Sequence, residues 1–195
     1  MSKKSEQILL AATDEFLAKG LEAASMHNIA KLAEVSKRTL YKYYPSKEDL
    51  YEALVGYILD RIEAVYQFDY ENGLDIKDLI EQIVEAKIEF TLSDSFLKIS
   101  KITFGELLKG KVFSEKELSR ISQSELLFIN WIEAQQKKKT ITKEFSADEI
   151  ANQFHSLLKG QIYWPVLLGL KNKSDLDLQR IKKITVDFFL KNFVL

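Results

Sequence analysis

The sequence of 195 residues contains no cysteine, two prolines and seven glycines. Without cysteine the chain can form neither disulfides nor thiolate metal sites. Because proline and glycine are scarce, regular structure has few breaks, and the abundant leucine, lysine, glutamate and alanine are strong helix formers. We therefore expect an all-α protein, long enough for one domain with a full core or for two small ones.

The sequence also lacks an excess of charge of one sign, because 28 basic residues stand against 29 acidic ones. A nucleic-acid contact must therefore come from a local patch. The longest apolar stretch towards the C-terminal half, at 162–170, is too short to cross a bilayer. The first residues show no signal-peptide pattern. We expect a soluble cytoplasmic protein with no membrane partner, cofactor or metal.

Apolar residues recur at helical spacing along most of the chain. Serines at N-cap positions and the proline at 45 divide the N-terminal region into three short helices, predicted at 5–19, 25–33 and 36–43. Ser46 opens a long helix that extends to about Phe68. Further helices are predicted at about 75–92, 94–109, 114–138, 146–170 and 175–193. The change from short to long helices predicts a small head, residues 1–46, on a larger helical body, residues 47–195.

The third short helix carries a local positive charge. Between Val35 and Glu48 every charged residue is basic, whereas the acidic residues of the head lie elsewhere. Three short helices, the last two joined by a tight turn, are typical of a helix-turn-helix, whose second helix enters the major groove. The alternative is a solvated charged face on an ordinary helical protein. The predicted contacts with double-stranded DNA are Ser25, Ser36, Lys37, Arg38, Thr39, Tyr41, Lys42, Tyr43 and Lys47.

These side chains suit groove recognition in different ways. Arg38 can bond a guanine with two hydrogen bonds, and Thr39 can contact a thymine methyl group. Tyr41, Lys42 and Tyr43 reach sugars and phosphates, and Ser25 at a helix start binds phosphate through its hydroxyl and main-chain N–H groups. The head can therefore combine sequence-specific contacts with phosphate contacts.

The stretch at 8–54, ILLAATDEFLAKGLEAASMHNIAKLAEVSKRTLYKYYPSKEDLYEAL, resembles the N-terminal domain of the tetracycline-repressor (TetR) family. The matching positions are Ile8, Leu9, Ala11, Ala12, Phe16, Gly20, Ser25, Ile29, Ala30, Ala33, Val35, Ser36, Leu40, Tyr41, Tyr43, Ser46, Lys47, Glu48 and Leu50. The resemblance implies phosphate contacts by Tyr41 and Lys47. Glu34 replaces the usual glycine of the turn, and a left-handed backbone there would be strained. Arg38 replaces a small residue and alters the expected operator.

The same resemblance implies that the body binds an effector and forms a homodimer through its last two long helices. Aromatic residues with a few polar anchors would line a pocket for a hydrophobic or aromatic effector, although an aromatic residue at helical spacing, taken alone, is more often a core residue. The pocket candidates are Tyr66, Phe90, Phe96, Phe104, Glu106, Phe128, Trp131, His155, Tyr163 and Trp164. The dimer candidates are Phe154, Leu158, Ile162, Ile184, Phe188 and Phe189, and the alternative is that these six fill the protomer core.

Three functions follow from these patterns. The first is a ligand-responsive DNA-binding transcriptional regulator, a repressor that a small molecule releases from its operator. The second is a DNA-binding regulator whose body binds a protein partner. The third, a small helical enzyme, lacks a recognisable site, because the chain has only two histidines, no di-iron motif and no glycine-rich phosphate loop. The body also resembles the C-terminal domain of the AefR-like branch, which leaves the ligand unspecified.

Overall fold

A computed structural model describes residues 2–66 and 73–195, except for the side chains of Tyr66 and Ser124. Over these residues the chain is helical, which confirms the all-α prediction. The helices are α1 (Lys3–Ala23), α2 (Met26–Leu32), α3 (Lys37–Tyr43), α4 (Lys47–Tyr66), α5 (Ile76–Thr91), α6 (Asp94–Leu108), α7 (Glu115–Lys137), α8 (Ala147–Leu167) and α9 (Leu178–Phe193). No helix in the described part of the chain is long and apolar enough to span a membrane.

Most helix boundaries lie within two or three residues of the predicted ones. α8 ends earlier than predicted because Gly169, with φ of 72°, turns the chain out of the helix. A 3-10 turn (Lys173–Asp175) follows, and α9 begins only after Asp177, whose carboxylate accepts from the Arg180 N–H at 3.0 Å. The predicted end of the fourth helix, at Phe68, lies outside the described residues.

The chain divides into two compact units. Unit 1 comprises Met1–Arg61 and Asp94–Glu117, and unit 2 comprises Ile62–Ser93 and Leu118–Leu195. Unit 1 therefore holds α6 as well as the three short helices, because α6 packs against α1. These structural units differ from the functional division at residues 46 and 47, which stays a prediction.

Unit 1 is built on the apolar face of α1. Ile8 and Phe16 of this helix are buried together with Ile29 of α2, Leu40 of α3 and Leu50 of α4. Two polar contacts supplement this core. The Tyr44 hydroxyl lies 2.5 Å from Ser5 Oγ, and Lys98 Nζ of α6 donates to Asp14 Oδ1 of α1 at 2.7 Å. Both contacts hold other elements of the unit against α1.

Unit 2 has an aromatic core. Phe128 of α7 stacks on Trp131 at 5.7 Å between ring centroids and lies 5.3 Å from Phe154 of α8. Phe189 of α9 packs edge-on against Phe154 at 5.7 Å and against Phe193 at 5.5 Å. One cluster of rings thus joins α7, α8 and α9.

The last residues are held by main-chain hydrogen bonds to the segment between α7 and α8. The Thr142 N–H donates to the Phe193 oxygen at 2.8 Å, and the Leu195 N–H donates to the Thr140 oxygen at 3.0 Å. Ile141, which is fully buried, forms an isolated antiparallel bridge with Val194. The end of the chain therefore belongs to the packed structure of unit 2.

Among the helix ends that the structure describes, those of α2, α6, α7 and α8 share a pair of main-chain hydrogen bonds, a Schellman motif, in which a residue with positive φ follows the helix. Glycine occupies that position after α6 and α8, whereas Glu34 with φ of 51° occupies it after α2 and Lys139 with φ of 61° after α7. After α2, the Val35 N–H donates to the Ala30 oxygen at 3.0 Å. The turn thus keeps its left-handed geometry even though glutamate stands there.

We expect Glu34→Gly to raise the free energy of unfolding by up to about 1 kcal/mol, because glycine adopts positive φ without the Cβ clash but gains freedom in the unfolded chain. Urea denaturation of both proteins measures the difference. Glu34→Ala is the matched control, since it removes the carboxylate and keeps the strained backbone. An equal gain in the alanine variant would show that charge, not backbone strain, limits stability.

Candidate nucleic-acid interface and ligand-binding unit

The connection between α2 and α3 has the form of a helix-turn-helix. α2 ends at Leu32, the left-handed Glu34 reverses the chain, and Ser36 caps α3 with its side chain. Ala33 and Leu40 are fully buried on the two sides of the turn, so they fix α3 against the rest of unit 1. With Leu40 facing inwards, the opposite face of α3 is turned to solvent.

The exposed side chains of α3 combine positive charge with aromatic rings. Lys37, Arg38 and Lys42 are exposed, and Tyr41 and Tyr43 keep 49% and 40% of their surface. Guanidinium and ammonium groups pair with phosphates, and an arginine near the start of such a helix can read a base edge. The five side chains form a surface suited to a polyanion.

Ser36 and Thr39 form the N-cap at the start of α3. Ser36 Oγ accepts from the Thr39 N–H at 3.0 Å, and the two hydroxyl oxygens lie 2.8 Å apart. This N-cap satisfies a main-chain donor that would otherwise need water. Their predicted contacts with DNA remain a proposal, and the capping bonds orient both hydroxyls at the exposed end of the helix.

Glu15 supports the start of α2, and the sequence analysis does not single it out, because an acid there counts toward the charge that offsets the basic helix. Only 6% of Glu15 is exposed. Its Oε1 accepts from the Ser25 N–H at 3.1 Å and from Asn28 Nδ2 at 3.4 Å, while Ser25 caps α2. Its spacing from Ala11 and Ala12, four and three residues earlier, places it on the buried face of α1. This helical spacing is the feature of the sequence from which the burial of Glu15 could have been predicted.

Lys47, a predicted phosphate contact, binds within the protein. Its Nζ donates to the main-chain oxygen of Glu22, near the end of α1. A lysine ammonium has three donors, so this bond leaves others for a phosphate. The bond holds the start of α4 beside α1, and it fixes the position of the charge.

The predicted pocket residues fall into both structural units. Phe128, Trp131, His155 and Tyr163 are buried in unit 2, where Phe90 is half-buried and Trp164 is exposed. The structure brings Phe128, Trp131 and His155 together, with 5.6 Å between the Phe128 and His155 ring centroids. Tyr163 contacts Trp164 at 4.9 Å. The Tyr66 side chain lies outside the described residues.

Three of the pocket candidates belong to α6 and hence to unit 1. Phe96 is half-buried, and Phe104 is exposed. Glu106 is buried, and its Oε1 accepts from Lys109 Nζ at 2.8 Å, a bond that raises the pKa of the lysine. Because Glu106 already has a cationic partner in the turn that follows α6, its role as an anchor for an effector stays a proposal.

A second set of residues that the sequence reasoning missed surrounds His155 in unit 2. Lys87 of α5 is only 7% exposed, and His155 of α8 only 5%. His155 Nδ1 lies 3.7 Å from Glu125 Oε1 of α7. Burial, followed by the positive charges of Lys87 and Lys159, lowers the pKa of His155 well below its usual value. The imidazole is therefore neutral at neutral pH.

Burial likewise lowers the pKa of Lys87, and the like charge of Lys159 adds to this effect, whereas Glu125 opposes it. Lys87 follows Ile83 and Val84 by four and three residues, a spacing that places it on the buried face of α5. A chain that buries an ammonium group in an apolar unit meets a large desolvation cost. This lysine is therefore a candidate for function.

The six dimer candidates separate into two groups. Phe154, Leu158, Ile162 and Phe189 are almost fully buried inside unit 2 of a single chain. Ile184 is 41% exposed, and Phe188 keeps part of its surface. Since a partner can contact only exposed surface, the case for an interface on α9 rests on Ile184 and Phe188.

Comparisons with known sequences agree with this arrangement. The profile described as "Bacterial regulatory proteins, tetR family" matches residues 8–54, and the profile "AefR-like transcriptional repressor, C-terminal domain" matches residues 78–193. The HTH-type transcriptional regulator RutR of Escherichia coli O157:H7 is 31% identical over 139 residues, which are 69% of this chain and 64% of RutR. The match thus spans less than two thirds of RutR.

Two further comparisons cover almost the whole chain. The HTH-type transcriptional regulator LuxR of Vibrio harveyi is 23% identical over 190 residues, 95% of this chain and 88% of LuxR. The crystal structure of a TetR family transcriptional regulator from Pseudomonas syringae pv. tomato str. DC3000 is 26% identical, with a TM-score of 0.72, and covers 100% of this chain and 99% of the other. Both units therefore have counterparts in proteins of this kind.

Proposed function

Because the chain belongs to the tetR family of bacterial regulatory proteins, we propose that it is a ligand-responsive transcriptional regulator, a repressor that binds operator DNA. The observation that carries this proposal is the exposed surface of α3, where Lys37, Arg38 and Lys42 follow a helix-turn-helix turn. Positive charge on an exposed helix after such a turn is what binding in the major groove requires.

The proposed regulation is a shift between two conformations of a homodimer. Two heads can occupy successive major grooves only when they are about 34–36 Å apart. An effector that binds the other conformation more tightly draws the population away from this spacing and releases the DNA. The buried rings of Phe128 and Trp131 in unit 2 support an effector with a hydrophobic or aromatic part.

The proposed dimer uses α9 together with the end of α8. Besides Ile184 and Phe188, this region leaves Trp164 and Leu168 exposed, at 41% and 65%. Large exposed apolar side chains of one unit commonly mark an interface. A homodimer also suits a palindromic operator, because two identical heads read two identical half-sites.

The experiment that tests the function measures binding of the purified protein to DNA from upstream of its own gene, by fluorescence anisotropy at several salt concentrations. We expect tight, sequence-selective binding whose affinity falls steeply with salt, because the cationic face of α3 displaces counterions from phosphates. Random DNA of equal length is the control. Weak binding that is identical for both DNAs would contradict a specific operator at this place.

A further inference from the structure

Helices α1, α4 and α6 border an open pocket, all of it within unit 1. Its floor is apolar, because Leu9, Leu54 and Ile99 line it and each of them is only 2% exposed. This unit 1 pocket holds about 490 Å³, including the part that is open to solvent. Such a volume above an apolar floor is typical of a site for a small molecule.

Two further side chains of the lining remain accessible to a ligand. Leu10 of α1 is 51% exposed, and the ring of Tyr57 of α4 is half-buried. Arg61 Nη1 donates to the Tyr57 hydroxyl at 3.3 Å, and the guanidinium lies 5.7 Å from the ring centroid. Arg61 thus helps to hold the ring. A hydrophobic body on the floor of the pocket would gain contacts with an aliphatic and an aromatic side chain.

Polar side chains of the lining offer hydrogen-bond acceptors. Thr13 is only 4% exposed, and its hydroxyl donates to the Leu9 oxygen at 2.8 Å, so its Oγ1 is left to accept from a ligand. Glu6 also lines the pocket, and it precedes Leu9 and Leu10 by three and four residues, which places it on the same face of α1. A carboxylate accepts hydrogen bonds and donates none. Both residues therefore suit a ligand that donates.

The charges of the lining favour a cation. Lys98 Nζ donates to Asp14 Oδ1 at 2.7 Å, so these two residues offset each other. The other charged residues among the described part of the lining are Glu6 and Asp94, and both are acidic and exposed. Arg61 adds one positive charge near Tyr57, which leaves the surroundings of the pocket with a negative balance. A cation at the rim is therefore attracted, and an anion is repelled.

We propose that the unit 1 pocket binds a small hydrophobic amine, with its ammonium group at Glu6 and Thr13 and its apolar body on the floor. An ammonium group matches these two acceptors because it donates hydrogen bonds and accepts none. The site is separate from the aromatic core of unit 2, which supports the proposed effector, and it lies in the unit that carries the helix-turn-helix. Amine binding here is thus an activity beyond the proposed regulation by an effector.

The test is a titration of the full chain, labelled at its leucine and isoleucine methyl groups and observed by methyl NMR spectroscopy. The probes are phenethylamine, the uncharged phenethyl alcohol and the anionic phenylacetate, which are similar in size and shape. We expect the amine to shift the methyl signals of Leu9, Leu54 and Ile99. It should bind about two- to fivefold more tightly than the alcohol, as a partly exposed ion pair provides, and the acid should bind more weakly than the alcohol.

Glu6→Gln should abolish the preference for the amine and leave binding of the alcohol unchanged. The variant should fold, because Glu6 is exposed. Glu52→Gln is the matched control, since it removes an exposed carboxylate of α4 that does not line the pocket, and it should keep the preference. Leu10→Ala removes apolar contact instead of charge, so it should weaken binding of amine and alcohol alike and leave their ratio unchanged.

Equal binding of amine and alcohol, binding of the acid as tight as that of the amine, or an unchanged preference in Glu6→Gln would each overturn the proposal. So would the absence of shifts at Leu9, Leu54 and Ile99 with every probe. Shifts confined to the core of unit 2 would also overturn it, because the amine would then occupy the proposed effector site. Anisotropy of operator DNA on the same preparation tests the proposed function separately.

Discussion

Arg38→Ala is expected to weaken binding to operator DNA by about 1–3 kcal/mol, roughly five- to 150-fold in affinity, while binding to random DNA changes much less. Arg38 is the second residue of α3 and is exposed beside the capped helix start. From this position its guanidinium can bond the two acceptors of a guanine. Anisotropy titrations on operator and random DNA at one salt concentration measure both affinities.

Three further variants show what kind of contact Arg38 makes. Lys37→Ala and Lys42→Ala should weaken binding to both DNAs alike and reduce the salt slope by about one each, as loss of a phosphate contact does. Lys101→Ala, an exposed lysine of α6, controls for net charge and should have little effect. If Arg38→Ala weakens both DNAs equally, the arginine binds phosphate and another residue reads the sequence.

Phe189→Ala is expected to lower the free energy of unfolding by about 3–5 kcal/mol, because a large buried ring leaves a cavity that the surrounding side chains fill only in part. Phe189 is fully buried and contacts the rings of Phe128, Trp131, Phe154 and Phe193. It therefore joins the ring cluster of unit 2 to α9. Urea denaturation at a fixed protein concentration measures the loss.

Ile184→Glu, on the same helix as Phe189, should dissociate the dimer without unfolding the protomer. Ile184 is exposed in the single chain, so a glutamate there should leave the protomer folded. In the proposed dimer this substitution would bring one unpaired carboxylate from each protomer into the interface, and the dimer should therefore dissociate. Sedimentation velocity reports the oligomeric state. A dimer unaffected by Ile184→Glu would place the interface elsewhere.

Most of the helical architecture could be predicted because its determinants are local. Ser25, Ser36 and Ser46 stand at helix starts, and apolar residues repeat at helical spacing between them. The predicted end of α8, at residue 170, is too late, since apolar residues continue past the turn at Gly169. A local apolar repeat identifies the buried face of a helix but does not locate the residue at which the helix ends.

The partner of an apolar face could not be predicted in the same way. The helical spacing of Phe154 and Phe189 is the same whether they lie in a dimer interface or in the core of one protomer. Only the packing of α9 against α8 shows that both are buried within one chain. Spacing also places Glu15 and Lys87 on buried faces, although charged side chains are usually exposed. A charged residue in apolar register is a signal for a polar site inside the fold.

The assignment of α6 to unit 1 and of α5 to unit 2 has a consequence for synthesis on the ribosome. Translation produces α5 before α6, yet unit 1 needs α6 for completion, while α5 packs on α9, and the Lys182–Glu85 ion pair spans 97 residues of sequence. The apolar face of α5 can therefore be buried against α9 only after nearly the whole chain has been synthesised. A nascent chain that contains α5 but not yet α9 exposes Leu79, Ile80 and Ile83 to chaperones and to other nascent chains. Slower translation after α5 should lengthen that exposure and lower the yield of folded protein.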